Sequence, residues 1–188
     1  SIVLVPAASS DPNYSSLDAA DVSVTNTDND AAGFTVSPTA GLVTTEVGGT
    51  ASFRVQLNSQ PTANVVIPVS SNNAAEGTVS VASLTFTTAN WNVAQTVTVT
   101  GVDDAVADGD IAYTIVTGAA ASADPVYNSM NPADVSATNT DNDAAAITVS
   151  PVAGLVTTEA GGSATFTLVL RSQPTADVVI PMSSSNTA

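Results

Sequence analysis

The chain has 188 residues with 17 acids, two arginines (Arg54 and Arg171) and no lysine, histidine or cysteine, giving a formal charge of −15. That balance argues against nucleic acid and anionic membrane surfaces as partners and in favour of cations. It leaves no imidazole base, no thiolate, no disulfide and no ordinary zinc or iron site.

From the N-terminus, the first informative segment is DVSVTNTDND at residues 21–30, which returns as DVSATNTDND at 134–143, an offset of 113 (134 minus 21). GLVTTEVGG from Gly41 and GLVTTEAGG from Gly154 share that offset, as do SQPTANVVIP from Ser59 and SQPTADVVIP from Ser172. Aligned without gaps, roughly two-thirds of the 75 overlapping positions match, which marks an array of whole domains rather than a solenoid of short units. Residues 1–30 read as the end of one copy, 31–143 as a complete copy and 144–188 as the opening of the next. Ser1 and Ala188 both fall inside a copy, so the chain reads as a piece of a longer protein. The acidic DND is followed at once by alanines and the next strand, so neighbouring copies are expected to be held end to end. No stretch approaches the roughly 20 apolar residues of a membrane-spanning helix.

Within the complete copy the alternation has a period of two. Phe53, Val55 and Leu57 share one face against Ser52, Arg54 and Gln56; Leu84 and Phe86, Val97 and Val99, and Ile111, Tyr113 and Ile115 repeat the pattern. Strands are predicted near 33–37, 41–45, 50–57, 63–70, 77–81, 83–87, 94–101, 111–118 and 133–140, bounded by Gly, Pro, Asn and Asp. Seven to nine short strands over about 110 residues predict an all-β, immunoglobulin-like antiparallel sandwich. Gly118–Pro132 is expected to be a long loop, Trp91 a core or edge plug, and Pro68 and Pro181 markers of edge strands or bulges.

The acids are clustered. Asp103, Asp104, Asp108 and Asp110 occupy one loop between two predicted strands, Asp141 and Asp143 close the copy, and Glu46 precedes the turn glycines Gly48 and Gly49. Loops at one end of a sandwich converge, so these acids are expected to meet. Two carboxylates ~4 Å apart repel by about 4 kcal/mol at an effective dielectric of about 20. Neither arginine is near these loops in sequence, and a hard divalent cation would relieve the repulsion. Calcium takes carboxylate, carbonyl and water oxygens in flexible geometry, and Gly109 supplies the tight turn; magnesium is more exacting. A saline habitat would scatter acids rather than concentrate them in 28–30, 103–110 and 141–143.

Thr45-Glu46 with its glycine pair, ASFRVQL, SLTF from Ser83, QTVTVTGVDD from Gln95 and the closing TNTDND together resemble the Calx-beta domain. This is the calcium-binding sandwich of sodium–calcium exchangers and of many large bacterial surface proteins. The resemblance implies calcium held by Glu46, Asp103, Asp104, Asp108, Asp110, Asp141 and Asp143, with the carbonyl of Val106 as a further ligand. Glu76 lies near another acid of that family, in a poorly matching stretch. Asn142 interrupts a terminal run that is often wholly acidic in the family. The partial copies repeat some of these acids as Asp28, Asp30 and Glu159 but lack the acidic loop, so they are not expected to form full sites alone.

Three functions follow. The first is a non-catalytic, calcium-stabilised structural or adhesive repeat of an extracellular or cell-surface protein, its partners being calcium and the neighbouring repeats. The second is a filament subunit in which identical chains complete one another's partial copies by strand addition, because 144–188 begins a sandwich it cannot finish. The third is a glycan- or protein-binding module acting through Gly118–Pro132. Catalysis is disfavoured, since the abundant serines and threonines have no histidine or lysine to activate them.

Overall fold

Alternating small β-branched and polar residues leave one face of each segment apolar, and two such faces close on each other. The computed structural model describes residues 1–185, which form two compact units, Ser1–Ala31 and Ala32 onward. The final residues of the 144–188 segment, 186–188, lie outside the described residues. The strands are β1 (Phe34–Ser37), β2 (Leu42–Thr45), β3 (Thr50–Leu57), β4 (Val65–Ser71), β5 (Gly77–Val79), β6 (Ser83–Phe86), β7 (Gln95–Gly101), β8 (Ile111–Thr117), β9 (Ala121–Ser122), β10 (Val135–Thr140), β11 (Ile147–Ser150) and β12 (Thr167–Leu170).

The fold is an immunoglobulin-like β-sandwich. One sheet runs β1-β3-β7-β5; the other runs β2-β10-β8-β4-β6, with β9 also on β4. Strand pairing is antiparallel except for β2 with β10, where Ala137 sits beside Leu42 in a parallel register. Phe53, Val55, Leu57, Val97 and Val99 from the first sheet meet Val65, Ile67, Phe86, Ile115 and Val135 from the second, each at most 1 % exposed. Fully burying side chains of this kind stabilises by about 1.5–3 kcal/mol each, so the alternation that defines the strands also supplies the core.

The observed strands lie inside or within a residue of the expected ones, with two differences. Gly118–Pro132 is not a free loop. β9 pairs with β4, and Tyr127 turns inward, 1 % exposed, its ring edge-on to Phe34 at 5.7 Å. The Tyr127 hydroxyl donates to the Ser59 carbonyl at 2.7 Å. Asp124 accepts the Thr62 amide at 2.7 Å and the Val126 amide at 2.9 Å, which hold its carboxyl below the ordinary aspartate value. Pro68 lies inside a sheet rather than on an edge strand. On one side it pairs with Ser83; on the other, β4 changes partner from β9 to β8, and there the Pro68 carbonyl accepts the Gly118 amide at 2.9 Å. The N and C=O of one strand residue face the same side, so the absent N–H falls where the ladder is interrupted. Trp91 is half-buried against the core.

Beyond β10, β11 and β12 form a hairpin with Ile147 opposite Leu170, the register that Phe34 and Leu57 take between β1 and β3. In the Ser1–Ala31 unit, Ile2 bridges Val22 as Ile115 pairs with Val135. The Leu4 amide donates to Asp21 at 3.0 Å, as the Thr117 amide donates to Asp134 at 2.8 Å. Ala7 and Leu17 reproduce the bond of Ala120 and Met130, and Ser16 and Ser129 share a left-handed φ of 67° and 66°.

Candidate metal centre

Four segments meet at one end of the sandwich: the β2–β3 turn, the β4–β5 turn, the β7–β8 loop and the residues after β10. Backbone bonds join them. The Glu46 amide donates to Thr140, the Gly101 amide to Gly49 and the Val102 amide to Glu76, at 3.0–3.2 Å. Gly109 turns the β7–β8 loop with φ 82°, a conformation that a side chain would strain.

This convergence brings carboxylates together in two groups. Glu46, Asp141 and Asp143 each present an oxygen within 4.8 Å of the others, and so do Glu76, Asp104 and Asp108. Glu46 and Glu76 are buried, the aspartates partly or fully exposed. Asp103 and Asp110 attach to the cluster by hydrogen bonds: Asn142 Nδ2 donates to Asp103 at 3.1 Å, and the Asp141 amide donates to Asp110 at 3.1 Å. The Val106 carbonyl accepts the Asp108 amide at 3.0 Å, and its amide donates to Asp104 at 2.7 Å. Asp30 and Asp28 repeat the local bond of Asp143 to Asp141, amide to carboxylate. However, Asp28, Asp30 and Glu159 are exposed and absent from both groups.

The electrostatics are uneven. Asp141 accepts the Asp143 amide at 2.6 Å and the Gly109 amide at 2.7 Å. These bonds outweigh burial and hold its carboxyl below the ordinary value. Glu46 accepts the Asn142 amide, which pulls its carboxyl down, yet burial and the charges of Asp141, Asp104 and Asp143 together push it up. Burial raises Asp143, and the charges of Asp141, Asp103, Asp104 and Asp108 add to the rise. Asp143 Oδ2 is buried and has no hydrogen-bond donor. A buried, donorless carboxylate oxygen among like charges is costly unless a cation faces it. The residues therefore fit a bound metal ion, and an all-oxygen donor set suits a hard one.

The residues that sequence reasoning underweighted lie beneath this cluster. Asn139 Nδ2 donates to Glu76 Oε2 at 3.3 Å and to the Val102 carbonyl at 2.9 Å. Its Oδ1 accepts Thr44 Oγ1 at 3.0 Å, and Thr44 contacts the Tyr113 hydroxyl at 2.9 Å. This buried polar chain fixes Glu76 from below. The signal was present: Asn139 follows Val135 and Ala137 on the inward face of β10, where a polar residue needs a reason. Gly101 packs so closely that a Cβ would strike Asn139 Oδ1 and the Thr45 backbone.

The tip of the β7–β8 loop also touches the following segment, where the Gln173 amide donates to the Ala105 carbonyl at 2.6 Å. A cleft of about 510 Å3 lies beside that bond, lined by Val106, Ala107, Ile147, Leu170 and Pro174 among others.

No family model matches the sequence, and no curated protein matches it. Among solved structures, the apo form of the Calx CBD1 domain is 17 % identical with a TM-score of 0.43, covering 58 % of this chain and 96 % of that one. SSP-19 of Caenorhabditis elegans, an MSP-domain-like protein, is 14 % identical with a TM-score of 0.41, covering 57 % and 99 %. Domains 1–6 of the surface layer protein SbsC are 19 % identical with a TM-score of 0.34, covering 79 % and 23 %. These likenesses concern the sandwich alone and carry nothing about ligands. Among the described residues no helix is long and apolar enough to cross a membrane, which says nothing of β-barrels.

Proposed function

We propose that the chain is a non-catalytic structural module of an extracellular surface protein, stabilised by calcium. In this reading 31–143 is a complete repeat flanked by parts of two others. Glu46, Asp141 and Asp143, with Glu76, Asp104 and Asp108 beside them, hold the ions. Asp103, Asp110 and Val106 complete or support the ligand set. The observation that carries the reading is the buried, donorless oxygen of Asp143 amid converging carboxylates. Calcium suits it better than magnesium because it accepts several crowded carboxylate oxygens in flexible geometry, where magnesium demands a near-ideal octahedron.

The chain's own residues do the mechanical work. The β7–β8 loop is bonded to Asp141 through Gly109 and to the next segment through Ala105 and Gln173. Neutralising the cluster therefore tightens the loop that bridges successive repeats. The output is a stiffer, more protease-resistant array. Calorimetric titration of the chain with calcium tests the reading: saturable binding lost in Asp143→Asn is expected, and absence of binding at neutral pH would refute it.

A further inference from the structure

We propose that Thr44 and Asn139 are the precursors of an internal ester cross-link, formed when the Thr44 hydroxyl displaces ammonia from the side-chain amide of Asn139. Calcium plays no part in it. β2 and β10 lie parallel with Thr44 beside Asn139, and the two side chains are 0 % and 1 % exposed. Thr44 Oγ1 donates to Asn139 Oδ1 at 3.0 Å and is held from elsewhere by the Tyr113 hydroxyl at 2.9 Å. Asn139 Nδ2 donates to Glu76 Oε2 at 3.3 Å and to the Val102 carbonyl at 2.9 Å. A backbone carbonyl can only accept, so the orientation of the amide is fixed. The hydroxyl therefore meets the carbonyl end of the amide, and a carboxyl meets the nitrogen that leaves. Tyr113 and Glu76 are buried too. Two glycines make room for the group: a Cβ on Gly77 would strike the Tyr113 hydroxyl, and one on Gly101 would strike Asn139 Oδ1.

The reaction balances without a co-reactant. Thr44 Oγ1 bonds to Asn139 Cγ, the Cγ–Nδ2 bond breaks, and the proton that Thr44 gives up completes the ammonia. Glu76, on the leaving nitrogen, is the carboxyl placed to hand that proton over. The absence of histidine and lysine, which counts against turnover, does not count against one slow event. Two well-aligned groups held in contact react as if at an effective concentration of about 10⁵ M or more. Exclusion of water protects the ester once it is made. The ammonia vacates a space the size of a water molecule between Glu76 Oε2 and the Val102 carbonyl. A water there donates to both, so Glu76 stays held. The bond ties β2, an edge strand of its sheet, to β10 and joins residues 95 apart in sequence. A cross-link across so long a loop restricts the unfolded chain. Its use, though not its formation, rests on the structural role proposed above: tension along an array enters at β2 and leaves at β10 without loading the strands between them.

Intact-mass spectrometry of the 188-residue chain, denatured after long incubation in chelator, is the test. We expect a mass one ammonia below that of the sequence in the wild type and in Thr44→Ser, which keeps the hydroxyl, and the full sequence mass in Thr44→Val. Trypsin gives the position, because Arg54 and Arg171 are the only basic residues and place Thr44 in fragment 1–54 and Asn139 in fragment 55–171. From the denatured wild type these two fragments should run as one species and be parted by hydroxylamine, which cleaves esters. Thr44→Val should release them separately. An unaltered wild-type mass, a loss that survives in Thr44→Val (an imide ring at an asparagine would weigh the same), or wild-type fragments that separate without hydroxylamine would each overturn the proposal. The wild-type fragments decide the matter even where Thr44→Val fails to fold.

Discussion

The Asn142 backbone amide donates to Glu46 Oε2 at 2.9 Å, tying the end of β10 to the turn after β2. The bond exists because β2 and β10 run parallel, Thr140 beside Thr45. Both strands therefore deliver their acidic ends to one place. Like charges gather there because the sheet register puts them there, and the backbone alone compensates only part of the repulsion.

That imbalance fixes the pH behaviour of the metal-free protein. Glu46 and Asp143 have raised carboxyls, so each holds its proton more tightly in the folded chain than in the unfolded one; the stability these two groups contribute is present below the ordinary carboxylate values and lost as pH rises through the raised ones. Asp141 and Asp124 have lowered carboxyls and work oppositely: their contribution is present above the ordinary aspartate value and lost as pH falls. In chelator, Asp143→Asn should raise the melting temperature at neutral pH and lessen its decline with rising pH. Circular dichroism melts from pH 4 to 8 in chelator check this, and a lower melting temperature in the variant at neutral pH would contradict it.

Calcium should reverse the sign for the wild-type chain. At a free concentration about a hundredfold above the dissociation constant, one site stabilises by about 2.7 kcal/mol. Melting temperature should therefore climb with calcium and return to its starting value on adding chelator. Asp143→Asn and Asp104→Asn together should flatten the titration. Magnesium should give the smaller gain. Differential scanning calorimetry across a calcium series reads all three outcomes.

Much of this arrangement was legible in the sequence, for identifiable reasons. β3 was clear because Phe53, Val55 and Leu57 alternate with polar Ser52, Arg54 and Gln56 along most of an eight-residue strand. The two-residue β9 is too short to show a period, and its one alanine and one serine carry no face. The convergence of Glu46, Asp103–Asp110 and Asp141–Asp143 followed from loops sharing an end of a sandwich. Their division into two groups did not, because it depends on the β2–β10 register and on Glu76, whose position is set by the turn after β4. Likewise the packing of Tyr127 rests on contacts 68 or more residues distant in sequence, with Ser59 and Phe34, which no local pattern reveals.

The polar chain under the cluster should be the more sensitive part of the site. Asn139→Ala removes the donor to Glu76 and the Val102 carbonyl and the acceptor for Thr44. Leaving such buried groups unsatisfied costs roughly 1–3 kcal/mol, and a freed Glu76 should also weaken calcium binding. Thr44→Val, one step further from the carboxylate, should destabilise less and leave calcium affinity closer to wild type. Urea denaturation with parallel calorimetric titration separates the two effects. Equal calcium affinity in Asn139→Ala and wild type would remove Glu76 from the ligand set.

Tyr127 offers a test of the packed segment that needs no metal. Tyr127→Phe keeps the ring against Phe34 but deletes the bonds to Ser59. It should cost about 1 kcal/mol, whereas Tyr127→Ala, which also empties a fully buried site, should cost about 3–5 kcal/mol. Tyr14→Phe, the same change at the exposed counterpart, should leave stability of the monomer within about 0.5 kcal/mol of wild type. Guanidinium unfolding at low protein concentration measures the three variants. A Tyr127→Ala loss no larger than that of Tyr14→Phe would mean that Gly118–Pro132 behaves as a free loop, open to ligands, rather than as a packed wall of the sandwich.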